Sequence, residues 1–193
     1  MQALLVIDAQ NEFSAQGLRA VPNHSEALER IDILAEEARR EQRPIAWVMH
    51  HNKPTESRAF VPGSWGAEFS LGFGPRSGFG PERLFEKDVF GAFTGTGLED
   101  WLRALAVDEV LIAGFYTHMC VSTSTREALV RDFHVVLDPD ATGARGLEHD
   151  QLGRQTADEV RKSALLHLSN LGAVIRRSGS ATAERFPVVT GAE

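Results

Sequence analysis

The sequence predicts one α/β domain, a doubly wound six-stranded parallel sheet with helices on both faces. Most of six short segments have continuously apolar centres, as parallel strands covered on both faces do; Arg83–Glu86 has this pattern least clearly. Helical patterns lie between several of these segments, and that alternation favours right-handed crossovers. The length of 193 residues suits one domain. The predicted strands are Ala3–Ile7, Ile45–Met49, Arg83–Glu86, Glu109–Ala113, His134–Leu137 and Ala173–Arg176.

Four segments are predicted helices. In Ser25–Arg40 the apolar residues form one stripe, and acids and arginines occupy the opposite side. That stripe consists of Leu28, Ile31, Leu34, Ala35 and Ala38. The other predicted helices are Leu98–Leu105, Ser122–Val130 and Asp158–Leu171.

One long stretch, Lys53–Pro81, interrupts the alternation because it is rich in Gly, Pro and aromatics and has no sustained period. Loops of this length in compact domains are usually functional, so we expect a lid or pocket wall over the strand ends. Residues 1–178 are expected to form the domain, and residues 179–193 a loosely held C-terminal tail.

Composition and charge exclude several functions. Hydrophobic residues make up 42% of the chain and charged residues 24%, which is typical of a globular protein and not of a membrane-spanning one. The net charge of -7 comes from interspersed acids and bases, so nucleic acid is not an expected partner. Asp8 interrupts an N-terminal apolar run that no basic residue precedes, so we expect Met1 to be the mature N-terminus. The single cysteine excludes an internal disulfide and favours a cytoplasmic location.

Three residues with chemically useful side chains follow predicted strands. Asp8 and Lys87 come directly after the first and third strands, and Cys120 lies shortly after the fourth, where a helix begins. Ligands of open α/β sheets bind outside the carboxyl ends of the strands, so these residues can converge on one crevice. Each alone is more often a cap, a solvated lysine or a buried thiol.

The segment Gly114–Val121 predicts a tight turn from strand to helix that carries the thiol. The helix N-terminus and the Lys87 ammonium are expected to lower the pKa of Cys120, and Asp8 to accept its proton and later protonate the leaving group. Backbone amides of the turn can hold the oxyanion of a tetrahedral intermediate.

Four ordered motifs resemble those of isochorismatase-like cysteine hydrolases, and the resemblance runs from about residue 3 to about residue 176. They are Asp8–Phe13, Pro62–Gly66, Lys87 with Phe90–Leu98, and Gly114–Val121. The resemblance implies the six-stranded sheet, a catalytic triad of Asp8, Lys87 and Cys120, and a cis peptide between Phe115 and Tyr116. It also implies an oxyanion hole made by the Tyr116 and Cys120 amides, no cofactor, a small-molecule substrate and a homo-oligomer.

Within that family, nicotinamidases hold a metal with an Asp-x-His pair after the second strand and a further histidine. The matching stretch here is His50-His51-Asn52-Lys53-Pro54, in which lysine replaces a ligand. His50 and His51 point to opposite faces if the strand continues through them, so only one of the two enters the site. We therefore expect no metal site.

The segment Asp140–Arg145, placed after the fifth strand, is similar to the stretch that carries a substrate-binding arginine in carbamoyl-amide and ureido-acid hydrolases. Arg145 can hold a substrate carboxylate in a bidentate fork, or it can be a solvated surface residue. Phe13 and Trp65 are expected to line the pocket, with simple core packing as the alternative. His118 is not expected to act as the base, because Asp8 already fills that role.

The predicted function is therefore cleavage of a C–N bond in a small amide or ureido substrate through a thioester. One alternative is an ether or ester hydrolase using the same thiol. Another is a non-catalytic small-molecule-binding homologue, which the intact set of Asp8, Lys87 and Cys120 argues against. A dinucleotide binder is excluded because the first strand is followed by Asp8-Ala9-Gln10-Asn11, without glycines.

Overall fold

The computed structural model describes residues 1–53 and 55–177, so the predicted tail at 179–193 lies outside the described residues. The strands are β1 (Gln2–Ile7), β2 (Ile45–His50), β3 (Glu82–Lys87), β4 (Glu109–Phe115), β5 (His134–Gly143), β6 (Leu147–His149), β7 (Gly153–Gln155) and β8 (Val174–Ile175). Six parallel strands form one sheet in the order β3-β2-β1-β4-β5-β8, which confirms the predicted doubly wound fold. β6 and β7 form a separate antiparallel hairpin that the sequence did not indicate.

Four α-helices cover the two faces of the sheet unequally: α1 (His24–Arg40), α2 (Leu98–Ala104), α3 (Ser122–Leu129) and α4 (Ala157–Asn170), counted within residues 1–53 and 55–177. Because side chains alternate along β1, Leu5 and Ile7 join the apolar cluster that contains residues of α2, α3 and α4, whereas Leu4 and Val6 join the cluster that contains residues of α1. No helix within the described ranges is long and apolar enough to cross a membrane.

The fifth strand is longer than predicted, which corrects the placement of the segment before Arg145. Leu137 pairs with Ile112, and after a register irregularity Thr142 pairs with Gly114. Residues 140–143 therefore belong to β5 and not to a loop. Pro139 has no N–H to donate to the sheet, but the chain resumes pairing with β4 beyond it.

Candidate active site

The structure brings the three predicted residues to one edge of the sheet. Asp8 follows β1, Lys87 is the last residue of β3, and Cys120 lies in a π-helical turn, Thr117–Val121, between β4 and α3. Since β3, β2, β1 and β4 are neighbours in that order, the carboxyl ends of these parallel strands open on the same crevice. π-Turns are rare and occur frequently at functional sites.

Close backbone packing at Gly114 sets the relative position of Asp8 and the turn that carries the thiol. Gly114 has a φ of 123°, and a Cβ there would lie 1.8 Å from the carbonyl oxygen of Ile7. Only glycine allows β4 to approach β1 so closely. Asp8 itself has a φ of 53°, a left-handed conformation that costs free energy and is found often at functional sites.

Lys87 and Asp8 form a buried ion pair at the centre of the site. Lys87 Nζ donates to Asp8 Oδ2 at 2.9 Å, and the two side chains are 0% and 1% exposed. Burial by itself lowers the pKa of Lys87, but Asp8 and Cys120 outweigh it and raise that pKa overall, so the ammonium stays charged. Asp8 Oδ1 has no hydrogen-bond partner among the described residues, so it is left to accept a proton.

The Cys120 thiol does not have the lowered pKa that the sequence led us to expect. Burial raises this pKa most and Asp8 raises it further, while Lys87 opposes both without cancelling them. Cys120 is only 7% exposed, and the low-dielectric interior disfavours a thiolate. The Lys87 ammonium favours the thiolate, but it is already paired to Asp8 and does not offset the effect of burial. The resting thiol is therefore protonated.

The residues at the carboxyl end of β2 do not fit a metal centre. His50 is buried and its Nδ1 lies 3.3 Å from Lys87 Nζ, whereas the ring of His51 lies on the opposite side, 3.5 Å from Glu86. The Lys87 ammonium therefore occupies the position from which a metal would bind His50 Nδ1. Residues 1–53 and 55–177 contain no group of three or more His, Cys, Asp or Glu side chains able to hold a metal ion.

The predicted oxyanion turn has the backbone form implied by the resemblance. The peptide between Phe115 and Tyr116 is cis, and the Tyr116 carbonyl accepts from Met119 N at 3.0 Å and Val121 N at 3.1 Å. His118 stacks on the Tyr116 ring, and within the described part of the chain neither of its ring nitrogens has a hydrogen-bond partner. Its imidazole is thus not hydrogen-bonded to Cys120.

The three predicted substrate-binding residues occupy different environments. Phe13 is 2% exposed and packs edge-on against Tyr116 with ring centroids 4.7 Å apart, so it supports the turn from the core. Trp65 is 48% exposed. Arg145 is exposed two residues beyond β5, and its charge contributes to the lowered pKa of His118, whose main cause is burial. Arg145 therefore lies near the turn that carries the thiol.

Part of the long segment at 53–81 packs against the residues that follow β1. Ser70 N donates to Ala9 O, and Asn11 N donates to Glu68 O, both at 2.9 Å. The Gln10 side chain, fully buried, donates to Ala67 O at 2.7 Å. This part of the segment therefore covers the carboxyl edge of the sheet, as a pocket wall does.

Sequence reasoning overlooked two residues of the site. His50 was considered only as a metal ligand, although it contacts Lys87, and Asn52 was not considered at all, although it binds the His50 ring. The available signal was the position of His50 at the carboxyl end of β2, between the strands that carry Asp8 and Lys87.

Comparison with known proteins agrees with this geometry. Residues 2–163 match the family described as "Isochorismatase domain". Nicotinamidase 3 of Arabidopsis thaliana is 33% identical over 150 residues, covering 72% of each chain. The structure of an isochorismatase from Pseudomonas putida has a TM-score of 0.83 at 28% identity and covers 91% of this chain and 87% of the other. N-carbamoylsarcosine amidase from Thermoplasma acidophilum has a TM-score of 0.76 at 26% identity, covering 94% and 99%. The chain belongs to the isochorismatase family of hydrolases.

Proposed function

We propose that this hydrolase cleaves a C–N bond of a small amide or ureido substrate through a thioester on Cys120. The observation that carries the proposal is the surroundings of Asp8. Lys87 holds one carboxylate oxygen, the other has no hydrogen-bond partner within residues 1–53 and 55–177, and the carboxylate interacts with the protonated Cys120 thiol. That arrangement supplies a nucleophile and a base within a buried crevice.

Acylation begins with transfer of the Sγ proton to Asp8 Oδ1 as sulfur adds to the carbonyl carbon. Because the resting thiol is neutral, proton transfer and attack occur together, and no thiolate accumulates. The backbone amides of Tyr116 and Cys120 stabilise the oxyanion. Asp8 then gives its proton to the leaving nitrogen, the C–N bond breaks, and ammonia or an amine leaves behind the thioester.

Deacylation uses the same groups in the reverse order. Asp8 takes a proton from water as the water oxygen attacks the thioester carbon. The C–S bond breaks, the proton returns to Sγ, and the acid product leaves. Lys87 remains protonated throughout and keeps the Asp8 carboxylate in position, since its ammonium donates to Oδ2.

Substrate recognition is proposed to involve the surroundings of the turn. Arg145 binds a substrate carboxylate and Trp65 provides apolar surface, while Phe13 shapes the site from beneath by packing against Tyr116. The names of two relatives, a nicotinamidase and an N-carbamoylsarcosine amidase, support amide chemistry for this chain. We further propose that the enzyme acts without a cofactor, forms a homo-oligomer and works in the cytoplasm.

The direct test measures ammonia release from a panel of small amides, ureido acids and nicotinamide, and measures the cleavage of a vinyl ether separately by the loss of the intact ether. We expect turnover of at least one amide or ureido compound, and a loss of at least about a thousandfold in Cys120→Ser, whose hydroxyl is the weaker nucleophile. Turnover of the ether alone supports the ether hydrolase, and turnover of nothing supports the binding homologue. Near-normal amide hydrolysis by Cys120→Ser contradicts the thioester.

A further inference from the structure

His50 occupies the centre of the site and is held there from its backbone. It is the last residue of β2, which lies between β1 and β3 in the sheet. The Gln10 side chain accepts from His50 N at 2.9 Å and donates to His50 O at 3.0 Å. The Phe60 ring packs edge-on against the imidazole with centroids 5.4 Å apart. The position of the ring is therefore well determined.

Asn52 determines the tautomer of this imidazole. Asn52 Nδ2 donates to Ala59 O at 3.1 Å, so the other amide atom, Oδ1, faces His50 Nε2 at 2.9 Å. An amide oxygen can only accept, so Nε2 must carry the hydrogen. The lone pair of the neutral ring is then on Nδ1, which lies 3.3 Å from Lys87 Nζ.

This lone pair completes the hydrogen bonding of the Lys87 ammonium. An ammonium has three donors. They go to Asp8 Oδ2 at 2.9 Å, Val89 O at 3.2 Å and His50 Nδ1 at 3.3 Å. Cys120 also contacts the ammonium, but its sulfur is only a weak acceptor. Since Lys87 is buried, the loss of the His50 acceptor leaves one N–H with this weaker partner in its place.

We propose that His50 is a positioning residue: its neutral Nε2–H tautomer holds the Lys87 ammonium on Asp8, and its protonation disrupts that contact and sets the acid limit of activity. The proposal rests on the hydrolase function proposed above and adds a regulating group to the same site. A protonated imidazole cannot accept from Lys87, and it places a second cation beside the ammonium.

The charges around His50 give the direction of the effect. Two charged groups face the His50 ring, Lys87 from β3 and Asp8 from the end of β1. Cys120 lies beyond Lys87. The other neighbours of the ring, which are Asn52, the Val89 carbonyl and Phe60, are uncharged. Burial lowers the pKa of His50 most and Lys87 lowers it further, while Asp8, Asn52 and Val89 oppose them without cancelling them. His50 is therefore neutral at pH 7 and becomes charged as the pH falls.

The first experiment needs no substrate. Nitrogen NMR of the seven histidines, with His50 assigned by His50→Gln, reports tautomer and pKa for the intact chain. We expect the Nε2–H form at neutral pH, a higher His50 pKa in Lys87→Met and a lower one in Asp8→Asn. An Nδ1–H tautomer, or a His50 pKa that Lys87→Met leaves unchanged, overturns the proposal.

The second experiment compares pH–rate profiles on any substrate that is turned over. Asn52→Asp is expected to move the acid limb to higher pH, because a carboxylate on Nε2–H favours the protonated ring. His50→Gln, which keeps an acceptor but does not titrate, is expected to move it to lower pH. His51→Gln is the matched control, since its ring faces Glu86 on the other side of the strand, and its profile should equal that of the unsubstituted enzyme.

The kinetic constants of His50 variants distinguish a positioning role of this residue from a general disruption of the site. His50→Leu removes the acceptor and is expected to lower kcat by roughly 10- to 100-fold with KM little changed, and His50→Gln to restore most of the loss. An acid limb that is the same in His50→Gln and Asn52→Asp overturns the proposal. If no amide is hydrolysed, the proposed function fails, while the NMR result still decides whether His50 holds Lys87.

Discussion

Replacing Lys87 by Met tests the buried ion pair most directly, because it removes the charge while keeping a long apolar side chain. Asp8 then remains buried without a cation. At a separation of 2.9 Å and an effective dielectric constant of about 20, the pair attraction is about 6 kcal/mol, and breaking buried pairs costs about 3–5 kcal/mol in practice. We expect Lys87→Met to lower the free energy of unfolding by about 3–5 kcal/mol and to abolish turnover.

Urea denaturation followed by circular dichroism measures the change. The double variant Asp8→Asn/Lys87→Met, in which neither charge remains, should recover much of the lost stability but no activity. Lys53→Met is the control, since the exposed Lys53–Glu56 pair should contribute little. A Lys87→Met protein as stable as the unsubstituted chain, or a double variant no more stable than the single, would refute the reasoning.

Three further predictions concern the thiol, the metal and Arg145. The rate of Cys120 alkylation by iodoacetamide should rise only at pH values above the ordinary thiol range, because burial and Asp8 raise the thiol pKa. The rate should be higher in Asp8→Asn, and a lower rate in that variant would contradict the effect assigned to Asp8. Chelation of divalent ions should leave turnover unchanged, and a loss that added metal restores would show a metal site. Arg145→Ala should weaken transition-state binding of acidic substrates by roughly 2–4 kcal/mol while leaving matched neutral amides almost unaffected. Equal effects on both classes would make Arg145 an ordinary surface residue.

Except for the length of the fifth strand, the limits of the predicted strands and helices agree closely with the structure, because they depend on local sequence pattern. Residues 25–40 were predicted to be helical, and the observed helix is His24–Arg40. The two agree because the apolar residues of this segment recur with the period of an α-helix. Asp8 and Lys87 were placed in one crevice although 79 positions separate them, because parallel strands end at one edge of the sheet. The strand–turn–helix position of Cys120 followed from the same argument.

Contacts between residues far apart in the sequence account for the features that the local sequence pattern did not predict. β5 continues past Pro139 because β4 offers a partner there, which local propensity does not report. The contact between His50 and Lys87 depends on neighbouring strands and on an asparagine beyond β2. Strand alternation predicted that one of the two histidines enters the site, and the packing identified it as His50, which contacts Lys87.

Periodicity, strand ends and motif order are local properties of the chain, so the fold class, the family and the three residues that meet at the sheet edge could be predicted from them. The protonation state of the thiol, the tautomer of His50 and the pairing of Lys87 follow from the folded arrangement. These depend on burial and on the distances between charges from different strands, and a pKa is set by that environment and not by residue type alone.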